Sequence, residues 1–157
     1  MLDRNPTELP ALLKPGQRLL GLDPGEKNVG VAISDPGLTL ASPLTTLRRT
    51  QLKNLTVALQ ALIAAEGIGA IVIGLARNMD GTDGPKAQAA RQLARNLERA
   101  LGLPVALWDE RLSTAAVTRT LLEADASRRK RAEVVDRMAA AYILQGALDR
   151  IQAARRD

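Results

Sequence analysis

The chain has 157 residues, 46% of them hydrophobic and 25% charged, with a net charge of +5; this suits one globular domain with its own core and favours a polyanionic partner such as nucleic acid. It contains no Cys and no His, so a structural zinc site, a thiol nucleophile, a Ser-His-Asp triad and a histidine general base are all excluded. With no Phe, one Trp and one Tyr, it cannot build the aromatic platform on which many single-strand binders stack bases.

The opening stretch MLDRNPTELPALLKPGQ carries prolines at 6, 10 and 15 and reads as a loose arm over residues 1–16, followed by a single domain over 17–157. It lacks the basic region and apolar core of a secretory signal. No apolar run approaches the roughly 20 residues needed to cross a bilayer, so the expected setting is the cytoplasm, without a membrane partner. QRLLGLD (17–23) and NVGVAIS (28–34), joined by PGEK, predict a β-hairpin. A third strand is expected within LTLASPLTTL, 38–47. From Thr50 to Glu66 the apolar residues recur at three- and four-residue spacings, a helix closed near Gly67. AIVIGL (70–75) has no polar alternation and suits a parallel strand covered on both faces. The loop ARNMDGTDG leads to a helix from about Pro85 to Leu101, with proline allowed in its first turn. PVALW (104–108) is the next strand, and helices are expected at about 113–124 and 132–153. An antiparallel start followed by alternating helices and strands implies an α/β mixed sheet with helices on its faces.

Within that order, Asp23 ends the first strand, Glu110 follows PVALW by two residues, and Asp136 stands near the start of the last helix. Strand ends and helix starts of such a sheet converge on one edge, where sites form. Three acidic groups brought together repel one another and call for a cation. Oxygen-only ligation points to Mg²⁺ or Mn²⁺, and such ions support hydrolysis at phosphorus without a histidine. Each carboxylate also has a plainer reading: Asp23 as a turn residue before Pro-Gly, Asp136 as a cap or a solvated acid. Asp109 must point away from Glu110 if the segment stays extended, and is read as structural or supporting.

LLGLDPGEKNVGVAISD, IVIGLARNMDGTDGPKAQAARQLARNL, VALWDERLSTAAVTRTLLEA and SRRKRAEVVDRMAAAYILQGALD resemble the four signature blocks of the YqgF family, also called RuvX, over residues 18 to 150. The resemblance implies an RNase H-like fold related to the resolvase RuvC, with a five-stranded mixed sheet whose first three strands are antiparallel. It also implies a magnesium- or manganese-dependent nuclease acting on the 5′ end of pre-16S rRNA or on four-way DNA junctions. Carried over, the acidic triad falls on Asp23, Glu110 and Asp136. Where the family usually has a proline after Gly-Leu, this chain has Ala76. Glu133 shares a helical face with Asp136, a spacing similar to the paired aspartates of RuvC, or is an acid favoured by the helix dipole.

The expected nucleic-acid contacts are basic or polar residues near these blocks. Lys27 and Asn28 lie in the turn beside Asp23, or simply form a hairpin tip. Arg77, Asn78 and Lys86 belong to a glycine-containing loop that leads to a helix N-terminus; its spacing is neither a Walker loop nor an EF-hand. Arg111, Ser113 and Thr114 follow Glu110, and either hydroxyl could instead be a helix cap. Arg128, Arg129, Lys130 and Arg131 form a run that is either a solvated cluster or a clamp on the backbone flanking the cut. Two other functions compete. One is a phosphotransferase of the actin and sugar-kinase type, which needs a second lobe; the other is a nucleic-acid-binding or ribosome-assembly module without turnover. Symmetric junction resolution would require a two-fold homodimer.

Overall fold

The computed structural model describes residues 4–112 and 129–156, excluding the side chains of 129–132. Five strands, β1 (Arg18–Pro24), β2 (Asn28–Ser34), β3 (Ala41–Arg48), β4 (Ile68–Leu75) and β5 (Val105–Asp109), form one sheet. Its order is β3-β2-β1-β4-β5. β1 to β3 are antiparallel neighbours, whereas β4 and β5 run parallel to β1. The C-terminal ends of β1, β4 and β5 therefore share one edge with the start of β2.

Three helices cover the sheet: α1 (Leu52–Glu66), α2 (Pro85–Leu101) and α3 (Arg129–Arg156). The predicted stops of the first two hold. Gly67 and Gly102 close α1 and α2 in the left-handed conformation, at φ 65° and 68°, which glycine adopts without a Cβ clash. Pro85 opens α2 in its first turn. α3 is longer than the expected 132–153, and the helix expected at 113–124 lies outside the described residues.

The two faces of the sheet differ in side-chain size. Leu20, Leu22, Val29, Val31, Ile71 and Ile73 pack toward α1 and α2. The alternate positions Ala32, Ala70, Val72 and Ala106 lie against Ile143, Leu144 and Leu148 of α3. Small residues on the second face let α3 lie close to the strands. At Gly30 the approach is closest: a Cβ there would stand 1.9 Å from the backbone oxygen of Asp136.

The prolines of the N-terminal stretch do not make a loose arm within the described residues. Pro6–Glu8 and Pro10–Leu12 form short 3-10 helices, the first closed by a capping box between Asn5 and Glu8. Leu9 is fully buried among the α3-side core residues, and the Leu107 N–H donates to the Arg4 carbonyl at 3.1 Å. Proline preset the turns, and burial of Leu9 holds them against the domain.

Candidate active site

Asp23 is the last inward-facing residue of β1, directly opposite Gly30 in the antiparallel register. Paired residues project to the same face, so the Asp23 side chain and the backbone of Asp136 stand on the α3 side together. Beyond Asp23 the chain must turn. The Gly25 N–H donates to the Asn28 carbonyl at 2.8 Å, closing the hairpin and fixing where β1 ends.

Glu110 reaches the same side by a different route. β5 ends at Asp109, and the 3-10 turn Glu110–Leu112 follows at once. Gly74 on β4 makes room: a Cβ at that position would lie 3.0 Å from Glu110 Oε1 and 2.5 Å from Ile143 Cδ1. Asp23 and Glu110 are each only 5% exposed, an uncommon state for carboxylates. Asp136, half-buried in the early turns of α3, accepts a hydrogen bond from Asn28 Nδ2 at 3.2 Å.

The three carboxylates line one cavity of about 520 Å³, with Gly74 and Ala76 on its wall. Lys27, Asn28, Arg49 and Lys86 line it as well. All-oxygen donors match a hard divalent cation. Among the described residues no three acidic side chains form a ready cage for a metal ion.

The other predicted residues divide. Lys27, Asn28 and Lys86 are at the cavity, with Asn28 directed to Asp136. Arg77 is not: its Nε donates to Asp83 at 2.9 Å, and its Nη1 lies 3.9 Å from Asp109. Asn78 donates to Thr82 Oγ1 at 3.0 Å, within its own loop. Arg111 donates to Asp109 through Nη2 at 2.7 Å and through its backbone N–H at 3.0 Å. It also reaches the Met79 carbonyl at 3.4 Å. Arg77 and Arg111 thus tie the loop after β4 to the end of β5 rather than lining the cavity.

Asp109 is the anchor of that tie. Burial pushes its carboxyl upward, but the Arg111 side-chain and backbone hydrogen bonds, with the Arg111 and Arg77 charges, outweigh it and hold the group below its ordinary 3.8. Its supporting role agrees with its direction, opposite to that of the inward-facing Trp108. Glu133 is exposed, and it is its backbone carbonyl that accepts from Thr46 Oγ1, at 2.6 Å; the residue does not line the cavity. Ser113, Thr114 and Arg128 lie outside the described residues, as do the side chains of Arg129, Lys130 and Arg131.

Arg49 was not among the residues singled out from sequence. It follows β3, its Nη1 donates to the Gly25 carbonyl at 2.9 Å, and its backbone N–H donates to the Lys27 carbonyl at 2.7 Å. The only hint in sequence was the basic pair Arg48-Arg49 after a strand. Its meaning depends on the pairing of Asn28 with Arg48 across the sheet.

Comparison with known proteins places the chain as a whole. The family model described as "RuvX: Holliday junction resolvase" matches residues 17–150. A protein of Paramagnetospirillum magneticum named "Putative pre-16S rRNA nuclease" is 56% identical over 144 residues, 92% of this chain and 93% of that protein. One of Cereibacter sphaeroides with the same name is 50% identical, over 96% of this chain and 94% of its own length. Among solved structures, Thermus thermophilus RuvC in complex with a Holliday junction substrate superposes with a TM-score of 0.51. It covers 87% of this chain and 96% of its own at 15% identity, a likeness of RNase H-like fold. With matches this extensive and a sheet of the same architecture, the chain belongs to the RuvX family of nucleases.

Proposed function

We propose that this protein is a divalent-metal-dependent endonuclease that hydrolyses phosphodiester bonds in structured RNA, and that its substrate is the 5′ end of the 16S rRNA precursor. The observation that carries the reading is the meeting of Asp23, Glu110 and Asp136 in one cavity beside Lys27, Arg49 and Lys86. Oxygen donors converging at the end of a sheet, with basic side chains beside them, suit a hard divalent cation and a phosphate substrate. The substrate follows the names of relatives that align along nearly the whole chain.

Asp23, Glu110 and Asp136 would hold Mg²⁺ or Mn²⁺, which supplies an activated water and charge stabilisation at phosphorus when bound. The protein's own groups do the rest. Lys27, Arg49 and Lys86 attract and seat the phosphates of the substrate. Asn28 holds the Asp136 carboxylate in one orientation. The Asp109–Arg111–Arg77 tie keeps the ends of β4 and β5 in register, so that Glu110 faces the cavity. The expected setting is the cytoplasm, where ribosomes are assembled.

A four-way DNA junction is the second reading, favoured by the description of the matching family model. Symmetric resolution would then need two sites in a two-fold dimer. Matched labelled substrates, a structured RNA with a 5′ extension and a four-way junction, separate the two when incubated with Mg²⁺ or Mn²⁺. RNA cleavage abolished by Asp23→Asn, Glu110→Gln and Asp136→Asn, with binding retained, is the expected result. Symmetric cuts in the junction alone would transfer the protein to the second reading. A variant of the three that cleaves at the normal rate would refute the site.

A further inference from the structure

One face of α2 runs past two adjoining hollows. Lys86, Ala89 and Ala90 line the carboxylate cavity. Ala89, Gln92, Leu93 and Asn96 line a second groove of about 250 Å³, whose opposite wall is the start of α1 with Thr50 and Leu52. Positions 86, 89, 93 and 96 follow the three- and four-residue spacing of a single helical face. Arg49 and Ala89 line both hollows, so the groove continues the cavity instead of standing apart from it. The alanine is too short to divide them.

The chemistry of the groove is complementary to a nucleic-acid strand. Among the described residues no acidic side chain lines it, and Arg49 stands at its junction with the cavity. Gln92 Nε2 donates to Asn96 Oδ1 at 2.9 Å, and Gln92 Oε1 accepts from Arg95 Nη2 at 3.1 Å. These surface amides keep further donor and acceptor capacity for a ligand. Leu52 is exposed and adds apolar surface for a ribose or base face, while Leu55 and Leu93 form the groove's buried floor.

We propose that this groove binds the unpaired RNA strand flanking the scissile phosphate, with Arg49 seating its backbone and Gln92 and Asn96 hydrogen-bonding to it. The inference rests on the nuclease reading above and extends it to where the substrate lies. From Lys86 to Asn96 the helix rises ~15 Å, which spans about four nucleotides at 3.4 Å per stacked nucleotide. Binding is by charge and amides, consistent with a chain that has no aromatic platform.

The test uses the full-length protein and RNAs with one common cleavage site and single-stranded extensions of increasing length on either side. For the wild type, KM should fall about tenfold as one extension grows to about four nucleotides, then level off, with kcat unchanged. Gln92→Ala/Asn96→Ala should lose that dependence and retain the wild-type KM on the substrate without an extension. Both positions are on the helix surface, and alanine is a strong helix former, so circular dichroism should show an intact fold. A wild-type KM indifferent to extension length, or an equal KM rise on the substrate lacking an extension, would overturn the proposal.

Anisotropy of labelled single-stranded RNA without divalent ions provides a readout independent of cleavage. If the wild type cuts none of the substrates, the nuclease reading fails. The groove is then judged on length-dependent binding alone: loss in the double variant supports it, and unchanged binding refutes it.

Discussion

Gly30→Ala tests whether the site depends on how closely α3 rests on the sheet. The added Cβ would stand 1.9 Å from the Asp136 carbonyl oxygen, 2.4 Å from its carbon and 3.0 Å from the Arg137 nitrogen. All three are backbone atoms, so no side chain can rotate away. Restoring ordinary contact at 3.4 Å requires the helix to retreat by about 1.5 Å, and a close-packed interior resists that. Overpacking of this kind costs about 1–3 kcal/mol. Because the displaced segment carries Asp136, cleavage should fall about 100-fold, the scale expected from a misplacement near 1 Å. Trp108, the single tryptophan, is buried on the α3 side and reports urea unfolding by fluorescence. Single-turnover cleavage under conditions where the variant stays folded measures the second effect. A variant with unchanged unfolding midpoint and unchanged cleavage would refute the seating of α3 on Gly30.

Mg²⁺ or Mn²⁺ at about 100 times its dissociation constant should stabilise the wild type by about 2.7 kcal/mol. Asp23→Asn/Glu110→Gln/Asp136→Asn should show no such gain, and an equal thermal shift in both would place the ion elsewhere. Asp109 is held below its ordinary 3.8. Its contribution to stability is therefore present above that value and is lost as pH falls below it, through the folded-state value. Asp109→Asn should lose this acid-side component, giving a shallower decline below about pH 3.8, and an identical pH profile would contradict the tie to Arg111. Neutralising Lys27 and Lys86 together should reduce the salt-dependence slope of RNA binding by about 0.7 for each single-strand phosphate that a lysine no longer neutralises. An unchanged slope would remove them from the binding surface.

Much of this molecule was legible along the chain because the signals are local. The apolar runs, the Pro-Gly turn, Pro85 and the glycines at 67 and 102 specify elements through backbone sterics and hydrogen bonding between near neighbours. The carboxylates could be found the same way: Asp23, Glu110 and Asp136 occupy strand ends and a helix start, and parallel connections bring such ends to one edge. The family resemblance of the surrounding blocks agreed with that placement, and the phosphotransferase alternative yields to it.

Tertiary structure decided which charges are available to the site. Arg77 and Arg111 resemble phosphate ligands in sequence, yet Asp83 and Asp109 engage them. Arg49, overlooked in sequence, reaches the cavity because β3 pairs with β2 beside the hairpin turn. Leu9 turns a proline-rich stretch into part of the core. A guanidinium or a leucine takes its partner from whatever the fold places within a few ångströms, at separations of tens of residues. Periodicity and spacing record a residue's own backbone geometry, not its distant neighbours, so the order of the described elements, the helix stops and the convergence of Asp23, Glu110 and Asp136 on one edge could be read from sequence. The close seat of α3 on Gly30, the diversion of two arginines and the groove beyond Ala89 required the assembled fold.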